Sequence, residues 1–179
     1  TPEEALTEGD SNSGRAIQSL GGAGRNIAHN LRLLGVGVKL ITAIGDDTNA
    51  RSIIESCEEL GIDITHSLKT SSEPTPIYLY IADEKGNVKF SVSDMRIYDK
   101  LTTKFISSKM ELLNKSRMVV LDTNIPAGTI QYLCEKCRAP MFASAESRKR
   151  AEKLLPVLDK LCVVMTNEAE AEVLSGIRI

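Results

Sequence analysis

Outside one interval, short apolar runs alternate with helix-patterned runs along the chain, and this alternation is the strongest constraint on its fold. Val38 to Ala43, Ile62 to Leu68, Met118 to Asp122, Pro140 to Ala143 and Leu161 to Met165 read as short strands. Helical spacing runs from Arg25 to Leu34 and from Asn49 to Leu60, closed by Gly35 and Gly61. It returns at Thr102 to Leu113, Ala127 to Cys137, Glu146 to Leu155 and Glu168 to Ser175. Short connections between such elements predict a mostly parallel sheet covered on both faces. The exception is a hairpin, Pro76 to Ala82 and Val88 to Val92, joined by the turn-forming run Asp83-Glu84-Lys85-Gly86-Asn87. With a short strand at Arg15 to Leu20, it is expected to form a small β-lid from residues around 15–20 and 76–93. Tyr78 and Tyr80 alternate in the hairpin and so share one side of that lid. Thr1 to Asp10 reads as a mobile acidic lead-in.

Ligands of open α/β sheets bind at the carboxyl ends of the strands. Three polar clusters fall there. The first is the turn Gly21-Gly22-Ala23-Gly24-Arg25-Asn26, which opens directly into a helix. Glycine lets a ligand approach the backbone, and the Asn26 amide can donate to and accept from a sugar hydroxyl. No Lys-Ser/Thr pair follows, and the pattern is not G-x-G-x-x-G after a strand, so P-loop and dinucleotide readings are poor. The second cluster is Asp122-Thr123-Asn124-Ile125-Pro126, and the third is Thr166-Asn167-Glu168-Ala169-Glu170. Each has a plainer reading: Asn124 and Asn167 suit helix caps, and acidic residues suit a first helical turn. Three clusters beside a glycine turn favour a shared site.

The chain has 179 residues, 42% hydrophobic and 26% charged, with net charge −2. That suits one domain with a sizeable core. No basic block points to a nucleic-acid polymer, and no apolar run approaches membrane-spanning length. Cys57, Cys134, Cys137 and Cys162 are scattered through periodic segments, as buried thiols of a reducing, cytoplasmic compartment would be. Cys134-x-x-Cys137 has no second Cys/His pair of matching spacing, which a zinc site would want. His29 and His66, the only histidines, form no evident dyad. The first residue is Thr1 and the last is Ile179, just after a helix C-cap at Gly176. Both ends look cut, and a partial domain is expected.

The stretch Gly21 to Gly45 resembles the first signature of the PfkB (ribokinase-like) carbohydrate kinase family, and Asn167-x-x-Glu170 resembles its N-x-x-E motif. The resemblance covers essentially everything after Ser11. Ser11-Asn12-Ser13-Gly14, Gly21 to Ala28 with Asn30, Ser93-Asp94-Met95, Leu121 to Pro126 and Asn167 to Glu170 look most like the branch that phosphorylates pseudouridine. Ribokinases and other nucleoside kinases are the alternative within the family. The implied fold is a ribokinase-like three-layer α/β architecture, mostly parallel, with a β-lid; residues 1–179 would make an incomplete kinase domain.

The implied activity is transfer of a phosphoryl group from ATP, with Mg²⁺, to the 5′-hydroxyl of a small-molecule sugar or nucleoside. By position, Gly21, Gly22, Ala23 and Asn26 would bind the ribose. Asn124 would face it from the opposite strand end, and Asp94 from the lid. Asn167 and Glu170 would organise the phosphates and, through water, the metal. A homodimer through the lid is implied as well. The family's D-T-x-G-A-G-D stretch, whose last aspartate is the catalytic base, does not occur among residues 1–179, nor do the adenine pocket after it and the opening strand with its sugar-binding aspartate. Ser144-Ala145 stands where an acidic-Pro pair is expected. The expectation is therefore a polypeptide without turnover of its own. The rival readings are a non-catalytic protein acting through ligand binding or association, and, more weakly, a Rossmann-type dehydrogenase.

Overall fold

The computed structural model describes residues 7, 9–83 and 85–178. Most of the lead-in (residues 1–6 and 8) and Glu84 of the hairpin turn lie outside them. The parallel strands fall into two ladders. One pairs β1 (Ala43–Ile44) with β2 (Leu68–Lys69), and the other is three-stranded, with order β5 (Val119–Asp122), β6 (Met141–Ser144), β7 (Val163–Met165). Between these ladders, β3 (Ile77–Ala82) and β4 (Val88–Asp94) form the antiparallel hairpin.

Seven α-helices connect the strands: α1 (Ala23–Leu33), α2 (Thr48–Glu59), α3 (Thr103–Ser107), α4 (Met110–Asn114), α5 (Ala127–Lys136), α6 (Arg148–Ala151) and α7 (Glu168–Ser175). Two 3₁₀ segments, Arg96–Lys100 and Glu152–Lys160, complete the set among the described residues. The main core lies on β5–β7 and buries Leu121, Ile130, Leu133, Met141, Ala143, Leu154 and Val157. Each such large aliphatic side chain contributes roughly 1.5–3 kcal/mol by leaving water. A second cluster, around Ala28, Cys57, Ile62 and Ile64, joins α1 to α2. A third, of Ala43, Ile97 and Leu101, seats the 3₁₀ turn that follows the hairpin.

Several expected elements are shorter or broken, each for a local reason. Val38 to Ala43 and Ile62 to Leu68 do not pair continuously. After the bridge Lys39↔Asp63, the Ser67 hydroxyl takes the Thr42 N–H (3.1 Å) and donates to Leu40 O (2.9 Å). Pairing resumes at Ala43↔Leu68, so the second run carries one residue more than the first, a bulge. The helix expected over Thr102 to Leu113 divides at Ser108. There the Ser107 and Ser108 hydroxyls donate to Lys104 O (2.8 Å) and Phe105 O (2.7 Å), offering the backbone a competing partner. Glu146 to Leu155 begins as α6, capped by Ser147, and tightens to 3₁₀ as it nears Pro156, which has no N–H to donate.

Arg15 to Leu20 is not a strand, and Ile17 is 75% exposed. Among the described residues, the lid strands are those of the hairpin. Cys162 is exposed and Cys134 and Cys137 are half-buried, so only Cys57 is the buried thiol expected. Among the described residues, no helix is long and apolar enough to cross a membrane.

The chain enters the hairpin by packing directly on the end of β1. Thr75, almost fully buried, donates through its N–H and hydroxyl to Asp47 (both 2.8 Å), whose carboxylate also caps α2 through the Ala50 N–H (2.8 Å). Burial opposes ionisation of Asp47, but the hydrogen bonds from Thr75 and Ala50 prevail and hold its carboxyl below the usual range. Gly45 donates to Thr75 Oγ1 (3.0 Å), and a Cβ on Gly45 would lie 2.7 Å from Thr75 N and 2.9 Å from Glu73 O. Only glycine permits this approach of backbone to backbone. Gly45→Ala is expected to cost about 1–3 kcal/mol, the usual range for overpacking. Urea denaturation checks it; an unchanged midpoint would show that the 73–75 segment can move away.

Candidate active site

Register brings the strand ends into one row. Asp122 pairs with Ser144, and Ser144 with Met165, so the loops after β5, β6 and β7 leave from the same edge. The glycine turn meets this edge, because a Cβ on Gly24 would stand 3.2 Å from Asp122 Oδ2. Gly22, at the N-cap of α1, has φ 92°, a left-handed conformation that suits glycine, and no side chain caps the helix. Nothing lies within 4 Å of where a Cβ would be on Gly21 or Gly22, so the face of the turn is open. Arg25 holds the turn from within the chain, donating to Leu20 O and to Gly21 O (3.1 Å). Asn26 is exposed in the first helical turn, and among the described residues its amide oxygen meets only Arg25, at 3.4 Å. The free N–H groups and dipole of an 11-residue helix point at the same opening.

Asn124 does not cap a helix. The N-cap of α5 is Pro126, with no side-chain bond. Asn124 donates its backbone N–H to Asp122 Oδ1 (2.8 Å), while its side-chain Oδ1 is buried and unpaired, unlike any other buried side-chain N or O atom among the described residues. A buried polar atom without a partner costs about 1–3 kcal/mol, so a ligand donor there would gain correspondingly.

Asn167 and Glu170 do the opposite. They form a complete capping box on α7: Glu170 N–H donates to Asn167 Oδ1 (2.9 Å), and the Asn167 N–H and amide donate to the two Glu170 carboxylate oxygens (both 3.0 Å). Glu170 is 4% exposed, and its carboxylate joins the field at the strand edge.

Asp94, at the end of β4, is engaged by Arg96 at 2.9 and 2.7 Å. That pairing holds its carboxyl below the usual range at the end of the hairpin.

Three further residues belong to this edge and were not singled out from sequence. Glu146 follows β6, accepts from the Ser144 hydroxyl (3.0 Å) and donates its N–H to Thr123 Oγ1 (3.0 Å). Burial raises its carboxyl pKa, and the neighbouring Asp122 and Glu170 add to the rise. A carboxylate thus stands beside Ser144, two residues after the place where an acid was expected. Tyr98, from the 3₁₀ turn after the lid, has its hydroxyl raised by burial and by Asp122 and Glu146. Lys153, in the 3₁₀ segment after α6, donates to Thr123 O and Ile125 O, both at 2.9 Å. Only Glu146 left a trace in the sequence, an acid directly after a predicted strand.

The raised Glu146 pKa has a testable sign. The folded chain binds the proton more readily than the unfolded one, whose carboxyl titrates near 4.5. Ionised Glu146 therefore weighs on stability at neutral pH, and the load disappears as pH falls through the raised value. Glu146→Gln, which keeps an acceptor for Ser144, is expected to melt higher than the parent at about pH 7, with the difference closing near about pH 4. Thermal melts across that range check it; a gain that persists or grows in acid contradicts it.

The pfkB family carbohydrate kinase model matches residues 2–179. The chain is 30% identical over 177 residues to pseudouridine kinase of Escherichia coli K12, covering 98% of this chain and 56% of that enzyme. A carbohydrate kinase from Agrobacterium tumefaciens superposes with TM-score 0.87 at 30% identity, over 99% of this chain and 59% of that one. Arabidopsis thaliana ribokinase, solved with ribose and ATP, shares the fold with TM-score 0.79 at 19% identity, over 98% and 58% of the two chains. The chain thus spans somewhat over half the length of these relatives. With a ribokinase-like α/β fold, mostly parallel and carrying a β-hairpin lid, it belongs to the pfkB family of carbohydrate kinases.

Proposed function

We propose that this chain carries the sugar side of an ATP-dependent kinase that phosphorylates the 5′-hydroxyl of pseudouridine. The observation that carries the reading is the buried, unpaired Asn124 Oδ1 at a strand edge that also receives the open glycine turn. The 30% identity to a pseudouridine kinase supports the substrate among the alternatives of ribose and other nucleosides.

In this reading the backbone of Gly21, Gly22 and Ala23 and the Asn26 amide hold ribose hydroxyls, and Asn124 accepts from a hydroxyl on the other side. Asp94 approaches from the lid. The free N–H groups of α1 favour negative charge close by. When bound, MgATP supplies the phosphoryl group and Mg²⁺ neutralises its charge. Asn167 and Glu170 would hold the metal through water, since both Glu170 oxygens are already engaged by Asn167. The negative field of Asp122, Glu146 and Glu170 fits a cation at this edge. Phosphoryl transfer needs chiefly positioning and charge neutralisation, and these residues supply the positioning. The hydroxyl proton must leave to a base, and no D-T-x-G-A-G-D-like stretch that would provide it occurs among residues 1–179.

Calorimetric titration with pseudouridine tests this reading. The polypeptide is expected to bind pseudouridine without turning over ATP, and Asn124→Ala to weaken binding about three- to tenfold, the loss of one hydrogen bond. Phosphorylation by residues 1–179 alone would refute the assignment of the base elsewhere. Absence of any nucleoside or sugar binding would favour a non-catalytic role.

The lid adds a second expectation. Leu79, Ile81, Phe90 and Val92 lie on one face of the hairpin through the pairs Leu79↔Val92 and Ile81↔Phe90, and all are 48–66% exposed. Tyr78 and Tyr80 share the other face, their ring centroids 5.8 Å apart. A two-stranded ribbon with an uncovered apolar face is marginal alone. In our reading, a second copy of the chain covers it. Sedimentation is expected to show a dimer that Leu79→Lys dissociates; a monomer at micromolar concentration contradicts it.

A further inference from the structure

The backbone around Asn124 is fastened more thoroughly than a surface loop needs to be. The Thr123 N–H donates to Ser144 O (3.2 Å), and the buried Thr123 hydroxyl accepts from Glu146 N (3.0 Å). The Asn124 N–H is held by Asp122 (2.8 Å). The two carbonyls on either side of Asn124, those of Thr123 and Ile125, both accept from the ammonium group of Lys153. Lys153 comes from a different part of the fold, 30 residues further on, and is only partly exposed. Hydrogen bonds from a charged donor are the strong kind, and a single ammonium can satisfy two carbonyls that a turn would otherwise leave to water. In the middle of this fastened segment sits the one side-chain oxygen that, among the described residues, is buried without a partner.

We propose that Lys153 is a positioning residue for ligand recognition: by clamping the carbonyls of Thr123 and Ile125, it holds the Asn124 amide oxygen where a ribosyl hydroxyl can reach it. The proposal rests on the ribosyl reading of the site. It gives Lys153 no contact with the ligand; its effect passes through Asn124. A desolvated ammonium is costly unless well partnered, and burial, foremost, with Arg150 next, does lower the Lys153 pKa. A lysine kept there solely to fill space would be better replaced by an apolar side chain.

The test combines amide hydrogen exchange with a double-mutant cycle. Lys153→Met keeps the length of the side chain and removes both donors. It is expected to speed exchange of the 123–127 amides at least about fivefold while leaving those of α2 unchanged. It is expected to weaken pseudouridine binding about three- to tenfold in the parent, but less than about twofold in an Asn124→Ala background, because the two residues act as one. Lys153→Gln, which retains an uncharged NH₂ donor group on a shorter side chain, is expected to fall between the parent and Lys153→Met and serves if the methionine variant does not fold. Unchanged exchange at 123–127 would overturn the clamp. Equal weakening by Lys153→Met in both backgrounds would overturn its action through Asn124. If the parent binds pseudouridine and Asn124→Ala weakens it while Lys153→Met does not, the positioning role alone is wrong. If the parent binds neither pseudouridine nor ribose, the ribosyl reading itself fails and the proposal falls with it.

Discussion

The parallel register of β5, β6 and β7 is the constraint on which the site depends. Asp122, Ser144 and Met165 are cross-strand partners, so the three loops that follow must emerge side by side. The short helix-bearing connections that force strands to run parallel also force their polar carboxyl ends to one edge. A one-residue slip would turn Leu121 and Ala143, both in the main core, out of it and move Asp122 off the edge. The hydrophobic core and the polar strand edge are thus specified by the same pairing. The glycine turn joins them through one close contact, Gly24 against Asp122, that a side chain would disturb.

This edge gathers like charges: Asp122 and Glu170 both act on Glu146, and two of the three act on Tyr98. Such an arrangement works against the folded state at neutral pH and is sustained by the rest of the fold. It sits beside a helix N-terminus and a buried amide oxygen without a partner, complementary features that a polyhydroxylated ligand with phosphates and a cation would satisfy together. The two asparagines that looked alike in sequence have different duties. Asn167 spends its side chain on the α7 cap, whereas the Asn124 side-chain oxygen is left unpaired.

Much of this is legible in the sequence. Hydrophobic periodicity marked nearly every strand and helix, because burial on β5–β7 follows local patterns. The hairpin was readable from its turn chemistry, which the structure bears out: Asp83 accepts from the Lys85 and Asn87 N–H groups, and Gly86 takes φ 85°. The glycine turn could be recognised as an open stretch of backbone before a helix, and the family resemblance followed from the residues around it. What sequence hid was non-local. Ser67 entering the β1–β2 ladder, Thr75 against Gly45, and Lys153 reaching back to Thr123 are contacts between segments about 25 to 30 residues apart. Nothing in the local pattern of Lys153 separates it from a solvated charge on a helix. The supposed strand at 15–20 failed for the same reason in reverse: local pattern allowed it, but the segment does not take up strand structure.

The central claim is that the glycine turn and the β5–α5 loop form one ribosyl site. Mapping pseudouridine binding by amide chemical shifts tests it most directly. The account predicts concerted, saturable shifts at Gly21 to Asn26 and at Thr123 to Ile125, with one shared affinity. Shifts confined to one of these segments, or lying mainly outside both, would contradict it.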